Sequence, residues 1–519
     1  MGVETPDRAS SSESEEFSRA ALKEATLEGV RWVTIGRGVG EIVTLASAIT
    51  LAHLVPPSEF GRLAVTIIVS ELAVSLAYEA VGSPLIQRKE VTRAHRESAA
   101  LIGLVAGLAL MLLTLFALPL VATPVFGEGT STLFQLFSPA FLLAGLRVVP
   151  QAAVQRRLDF RRISIIEIAA GVLAAVTSVT LAIWGLNAEA YILGNLAGGV
   201  LATLLFMAAA PVSLPRWHRK EIRELLQFGV PAGLSSAAWV GFRNVDYAIL
   251  GAVMRPALVG FYYRAYTIGV EYEQKISGIV MRMVFPVYSR AQDTAHMRDI
   301  RARIVRLNAT LIFPLMGLFI AVAPVLVPFA FGERWEPAVL PAQILAVAGL
   351  LAMLNGGTGP LVMAAGRPRV LVVLHGVELV VYATTIYVAA KAGLTEVCVG
   401  VTCFQLVALV CSYRFVLTPI VGVTLRQLWS DVAPATVATA ALLVATLPLT
   451  SLLSGVLPGP LPVIPAALVG AAVYLGIVRQ LFPAAWADIE LLAKRLLRRP
   501  KRSHQAPGPM PLAESPAAR

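Results

Sequence analysis

The sequence predicts an all-α integral membrane protein of about fourteen transmembrane helices. They are arranged as two six-helix lobes related by a pseudo-two-fold axis along the membrane normal, with two extra C-terminal helices. Composition, the spacing of apolar runs and an internal repeat predict it. Of the 519 residues, 57% are hydrophobic and only 14% charged, too few polar groups to cover a water-facing surface of that size. A lipid environment resolves the mismatch. The formal charge of +11 is not gathered into one basic stripe. The Lys and Arg residues sit between apolar spans, a pattern of membrane topology that argues against a nucleic-acid partner.

A hydrocarbon core of about 30 Å needs roughly 20 apolar residues per helix. Runs bounded by charge, Pro or Gly begin near Val30, Leu63, Ala99, Leu133, Ile163, Tyr191, Phe228, Val259, Ile304, Leu340, Val370, Val397, Val432 and Leu461. The eighth, with Glu271, Glu273 and Lys275, is the least regular. Residues 1–28 are rich in Ser and Glu and lack an apolar stretch for a signal peptide, so they read as a disordered cytoplasmic tail. Alternate loops differ in basic content. Arg88, Lys89, Arg93 and Arg96, or Arg156, Arg157, Arg161 and Arg162, lie on one side, against only Arg255, Arg334 and Lys391 on the other. The positive-inside rule places both termini in the cytoplasm.

Residues 484–519 form a basic tail. Its apolar stripe, Trp486, Ile489, Leu492 and Leu496, suits either a helix lying on an anionic leaflet or a stop-transfer anchor with a disordered end. Cys398, Cys403 and Cys411 share one apolar span without zinc-like spacing and read as small buried hydrophobes.

The chain repeats itself. Phe126-Gly127-Glu128 recurs as Phe331-Gly332-Glu333, Pro139-Ala140 as Pro341-Ala342, and Ala144-Gly145-Leu146 as Ala348-Gly349-Leu350, while Pro57 and Gly61 correspond to Pro256 and Gly260. Four matches in one order at nearly one spacing argue for two related halves. Six helices separate equivalent positions, and an even number preserves orientation, which is transporter architecture. The division expected is 29–211 for the first lobe, 212–419 for the second and 420–483 for the appended pair.

Several segments in order resemble the polysaccharide-exporting flippases of the multidrug/oligosaccharidyl-lipid/polysaccharide superfamily, in particular the lipopolysaccharide biosynthesis branch. They are LVPPSEFGRLAV, PLIQRKEVTRAH, VQRRLDFRR, LLQFGVPAG, NVDYAILG, VGFYYRAY, VFPVYSRAQD and FGERWEPAVLPAQILA, within about residues 25–420. Glu71 and Glu79 in the second helix, and HLVPPSEF before it, depart from the family pattern. The resemblance implies a bacterial cytoplasmic-membrane exporter that turns undecaprenyl-pyrophosphate-linked oligosaccharide to the outer leaflet. It would act beside glycosyltransferases and a polysaccharide polymerase, and would not itself be an enzyme.

Ionisable groups at membrane depth cost several kcal/mol unless they face water or a partner. Arg37 and Glu41 lie four apart on the first helix, and Arg243 and Asp246 three apart on the seventh. Each pair shares a face, as a mutually neutralising couple or as a wall of one cavity. A guanidinium grips phosphate oxygens in a bidentate way, which makes Arg37, Arg243 and Arg264 the expected headgroup ligands. Arg264 also suits an interfacial snorkelling position. Arg147 and Arg282 fit positive-inside placement.

No phosphate-binding Gly-x-x-x-x-Gly-Lys-Ser/Thr loop is present. No cofactor is therefore expected, and coupling to H+ or Na+ would fall to Glu41, Glu71 or Asp246, with Glu167, Glu271 and Glu378 behind them. His375 and Glu378 lack further ligands for a metal. Tyr262, Tyr263, Tyr266 and Tyr272 suit sugar stacking or interfacial anchoring. Gly36-x-x-x-Gly40 and Gly194-x-x-x-Gly198 suit close helix contact.

Two other classes compete. A cation-coupled multidrug exporter of the same superfamily predicts a cavity of carboxylates and aromatics, against which Arg37 and Arg243 stand. A membrane polymerase or ligase requires a long outer catalytic loop, and every outer loop looks shorter than about 15 residues.

Overall fold

The computed structural model describes residues 7–281, Tyr288, 293–483, 485–487 and Glu490, with most side chains from Arg31 onward. Among the described residues every regular element is helical. Helix α1 runs Asp7–Leu54 and α2 Pro57–Ala77, the latter continuing through a π turn, Tyr78–Gly82, into Ser83–Gln87. Next come α3 (Arg93–Phe126), α4 (Glu128–Arg156), α5 (Phe160–Ile183) and α6 (Ala188–Ala209). Helix α7 (Arg219–Arg243) breaks at Asn244 and resumes as Val245–Val253. Helix α8 starts at Pro256–Tyr266, passes a π turn at Thr267–Glu271 and ends in Tyr272–Met281. The remainder are α9 (Thr294–Phe331), α10 (Glu333–Ala364), α11 (Pro368–Ala390), α12 (Leu394–Val421), α13 (Leu425–Ser454) and α14 (Val463–Leu481).

The chain is a multi-pass membrane protein. Among the described residues twelve helices are long and apolar enough to span a bilayer, rather than the fourteen expected. The difference is α2 and α8. Both have the length to cross, at about 1.5 Å per residue, but they are loaded with Glu59, Arg62, Glu71 and Glu79, and with Arg264, Glu271, Glu273 and Lys275. Residues 7–28, expected as a disordered tail, extend α1. Their Ala, Leu, Lys and Glu content has high helix propensity. Arg282 and most of the C-terminal apolar stripe lie outside the described residues; within it, Trp486 donates to Glu490 at 3.2 Å.

Helix ends follow local chemistry. Thr92, Asp159 and Asp293 cap α3, α5 and α9 through side-chain oxygens, and Thr424 with Gln427 forms a capping box on α13. Gly127 and Gly332, equivalent in the repeat, end α3 and α9 at φ 81° and 96°, a conformation that favours glycine. Arg301, 2% exposed, donates to the carbonyls of Leu354 and Gly356 where α10 breaks, and to Thr358 and Tyr413.

Small residues set the closest crossings. A Cβ on Gly194 would lie 2.5 Å from the Ala174 carbonyl, and one on Gly198 2.6 Å from that of Ala170, so α5 and α6 touch through backbone. Of the other glycine pair, Gly36 meets Ser164 while Gly40 faces open space.

The repeat is visible in one reciprocal contact. A Cβ on Gly61 would lie 1.8 Å from the Pro256 carbonyl oxygen, and a Cβ on Gly260 would lie 1.9 Å from that of Pro57. Each N-terminus of α2 and α8 therefore packs on its own counterpart, as across a two-fold axis. This end of the bundle carries few basic residues and is called here the bare end. Around the crossing, Leu51, Ala52, Phe60 and Leu63 from one half pack with Val327, Phe331 and Trp335 from the other. The Trp335 indole donates to the Ala52 carbonyl at 3.0 Å.

At the opposite, basic end, Arg88 and His95 meet Glu224, and His218 meets Glu97. Gly229 of α7 packs on the Ala80 backbone of α2 along the same seam.

Candidate functional site

Between the crossings, ionisable groups from α1, α2, α7 and α8 meet in pairs that join the two halves of the chain. Glu41 of α1 binds the Lys275 ammonium of α8 at 2.7 Å. Glu71 of α2 binds Arg243 of α7 at 3.1 Å and accepts from Asn244 at 3.0 Å. These side chains remain a third to a half exposed: 51% for Glu41, 43% for Lys275, 33% for Glu71 and 51% for Arg243. Charged groups left open at that depth face a watery space rather than hydrocarbon.

The within-helix pairings suggested by spacing are replaced by these. Glu41 turns to Lys275 rather than to Arg37, which is exposed one turn earlier on α1. Arg243 turns to Glu71, and Asp246 turns the other way because the helix breaks at Asn244, φ −116° and ψ 14°. Asp246 is fully buried and accepts from the Tyr262 hydroxyl at 2.7 Å, the Tyr382 hydroxyl at 3.1 Å and the Tyr247 N–H at 2.9 Å. Three donors around one carboxyl satisfy a group whose isolated burial would be prohibitive. Tyr262 and Tyr266 pack against Tyr247 and wall this acid in, with Tyr262 fully buried. Tyr262 therefore presents no face for a sugar in this conformation.

Arg264 is only 3% exposed and does not reach an interface. Its guanidinium carbon lies 4.9 Å, 4.6 Å and 5.2 Å from the ring centres of Phe60, Phe331 and Trp335, a cation–π enclosure. Its Nη2 reaches the Ala48 carbonyl at 3.5 Å, and its Nε has no hydrogen-bond partner among the described residues. The residue plugs the bare-end closure, adjoining both halves.

A cavity of about 290 Å³ lies within the first half, lined by Thr66, Arg147, Tyr191 and Asn195 among mostly small and aliphatic residues of α2, α4, α5 and α6. Tyr191 lies within electrostatic reach of Glu71, Glu271 and Arg264, and Arg147 within that of Glu167. Sequence reasoning assigned Arg147 to the basic end. It lies nine residues before the α4 terminus, about 14 Å deeper, and that depth was the available signal. Lys275, Asn244 and Tyr382 gave no comparable signal, since their partners are on other helices.

The profile of the family described as "Polysaccharide biosynthesis protein" matches residues 50–340, more than half of the chain. The chain belongs to this family. The match covers α2 to α9 and so contains Glu71, Arg243, Asp246, Arg264 and Lys275. Among curated relatives, the lipopolysaccharide biosynthesis protein WzxC of Escherichia coli K12 is 27% identical over 419 residues, covering 78% of this chain and 84% of WzxC. The teichuronic acid biosynthesis protein TuaB of Bacillus subtilis is 22% identical, covering 72% and 78%. Of solved structures, the lipid II flippase MurJ in an inward closed conformation aligns with a TM-score of 0.63 at 12% identity, covering 90% of this chain and 99% of MurJ. An inward-facing multidrug resistance transporter of the MATE family and MOP superfamily aligns at 0.60 and 15% identity, covering 76% and 98%. The chain shares its fold with both of these proteins.

Proposed function

We propose that this protein translocates a lipid-linked oligosaccharide, such as an undecaprenyl-pyrophosphate saccharide, across the bacterial cytoplasmic membrane by alternating access. The observation that carries the reading is the seam of cross-half ion pairs, Glu41–Lys275 and Glu71–Arg243, left a third to a half exposed at membrane depth, which we read as the lining of a cleft. A diphosphate entering that cleft competes with the two carboxylates for the two cations. It offers bidentate oxygens to Arg243 and loosens the links between halves as it binds, so that binding and release of the lobes are one event. Arg37 and, once the bare end opens, Arg264 are further ligands in this scheme.

The moving units are residues 29–211 and 212–419, with 420–483 appended and both termini cytoplasmic. Supporting the reading are family membership, relatives named for lipopolysaccharide and teichuronic acid biosynthesis, and the fold shared with a lipid II flippase. Glu41, Glu71 and Asp246 are the groups for H+ or Na+ coupling, and glycosyltransferases and a polysaccharide polymerase are the working partners. The protein transports and does not catalyse. Multidrug export shares the fold, but the partly exposed cations Lys275 and Arg243 favour an anionic cargo.

The test uses the full chain in liposomes loaded with a fluorescent undecaprenyl-pyrophosphate saccharide. Outward movement is expected with wild type and absent with Arg243→Ala at equal protein content. Failure of wild type to move the lipid, together with unchanged surface polysaccharide in a deletion strain, defeats the reading.

A further inference from the structure

One turn before Arg243 on α7 stands Trp239, 53% exposed. Residues four apart share a helix face, so this indole looks toward the space that Arg243 occupies. It stacks on Phe242 with ring centres 5.8 Å apart and planes 23° from parallel. Both rings pack against the imidazole of His375 on α11, at 6.5 Å and 6.3 Å. The His375 Nδ1 lies 2.9 Å from the Glu378 carboxylate.

The cluster lies away from the most exposed side of α11. On α11, Val372, Val373, Val377 and Val380 are 58–75% exposed and occupy one side of the helix. At 3.6 residues per turn His375, Glu378 and Tyr382 fall on the opposite side, and Tyr382 is anchored to Asp246 of α7. His375 is 47% exposed and the Glu378 carboxylate it meets 14%, and a polar pair at this depth needs water beside it, which argues that the cluster borders the cleft. Phe242 and His375 support the indole, yet 53% of the residue stays uncovered. A flat apolar ring beside a hydrogen-bonding pair matches a pyranose, which has a C–H face and a rim of hydroxyls.

We infer that Trp239, backed by Phe242 and flanked by His375 and Glu378, is a saccharide-stacking site that holds the sugar next to the diphosphate. Four residues separate Trp239 from Arg243, about 6 Å along the axis. That is roughly the length of one sugar unit, so the ring and the phosphates are gripped by successive turns of one helix. The inference rests on the proposed function and assigns it a second contact, to the carbohydrate and not to the lipid.

The test compares binding of two ligands to the full chain in nanodiscs: undecaprenyl diphosphate, and the same lipid carrying one glucose. Wild type should bind the glucosylated lipid more tightly. Trp239→Ala should lower that affinity about tenfold, of the order expected for loss of a buried aromatic contact, and leave the unglycosylated lipid unchanged. Trp239→Phe, which keeps a ring, should restore most of the difference, and Glu378→Gln should weaken only the glucosylated ligand. Equal loss for both ligands in Trp239→Ala, or no loss for either, overturns the stacking site while leaving the diphosphate site standing. If wild type binds neither lipid, the proposed function falls and the stacking site with it.

Discussion

The reciprocal contact of Gly61 and Gly260 makes a prediction that can be worked from the geometry. In Gly61→Ala the new methyl group would sit 1.8 Å from the Pro256 carbonyl oxygen and 2.7 Å from its carbon. Ordinary contact is about 3.5 Å, so α2 and α8 must part by roughly 1.5 Å at their crossing. Overpacking of this kind costs about 1–3 kcal/mol, and only the state closed at the bare end bears it. The equilibrium should shift toward bare-end opening by about 5–150-fold. The equivalent exposed positions Glu128 and Glu333 flank the crossing on the two halves. Spin labels at cysteines placed there, with Cys398, Cys403 and Cys411 replaced by alanine, report the separation by electron–electron double resonance.

Wild type should show a short distance, and Gly61→Ala a second, longer one. Gly260→Ala should do the same, because its methyl meets the Pro57 carbonyl oxygen at 1.9 Å. The double variant should cost less than the sum of the two, since helices already parted for one methyl accept the other. Unchanged distances in both single variants, or strictly additive effects, would refute the claim that this crossing is a gate between halves.

Other outcomes follow from the same structure. Arg243→Glu should abolish polysaccharide export, and adding Glu71→Arg should recover thermal stability but not export, because the cation then stands on the wrong wall; export assays and melting curves separate the two. Arg301→Ala leaves a buried tyrosine and two helix-end carbonyls without their donor and should destabilise the chain by about 3–5 kcal/mol, read as a fall in melting temperature. Tyr382→Phe removes one of three hydrogen bonds to Asp246 and should cost about 1 kcal/mol. Asp246→Asn should keep the fold and lose ion-driven transport in proteoliposomes. Arg264→Lys retains charge but loses the flat face that lies among three rings, and should open the bare end in the spin-label measurement.

What was legible in the sequence was whatever sterics and lipid impose on the backbone. Apolar length marked the helices, α2 and α8 included, although the charges those two carry leave them less apolar than the twelve candidate spans. Gly61 with Gly260 and Gly127 with Gly332 showed through as repeats because a close approach and a left-handed turn tolerate little else. The candidate site was legible only as a set of residues, because spacing along one helix names neighbours on that helix. Side chains as long as Glu41, Lys275, Glu71 and Arg243 find partners on another, and the break at Asn244 that parts Arg243 from Asp246 has no periodic signature. The tyrosines of α8 suited an interface by their number, whereas burial of Asp246 draws on the hydroxyl of one of them, Tyr262, and on that of Tyr382 from α11.

The repeat itself separates scaffold from function. Features matched between the halves, such as the crossing glycines and the helix-ending glycines, maintain a two-fold frame. Features without a counterpart gather elsewhere: Arg147, Tyr191 and Asn195 line the first-half cavity, and Trp239, His375 and Glu378 cluster between α7 and α11. A symmetric cleft would bind a symmetric ligand equally well in two orientations. A lipid-linked saccharide has a tail, a phosphate and a sugar in fixed order, so a protein that turns it over must hold it one way round. The departures from the repeat are therefore where recognition is expected. Exchanging a wall residue for its counterpart from the other half, as in Trp239→Gly after Gly40, should impair transport without disturbing the glycine crossing.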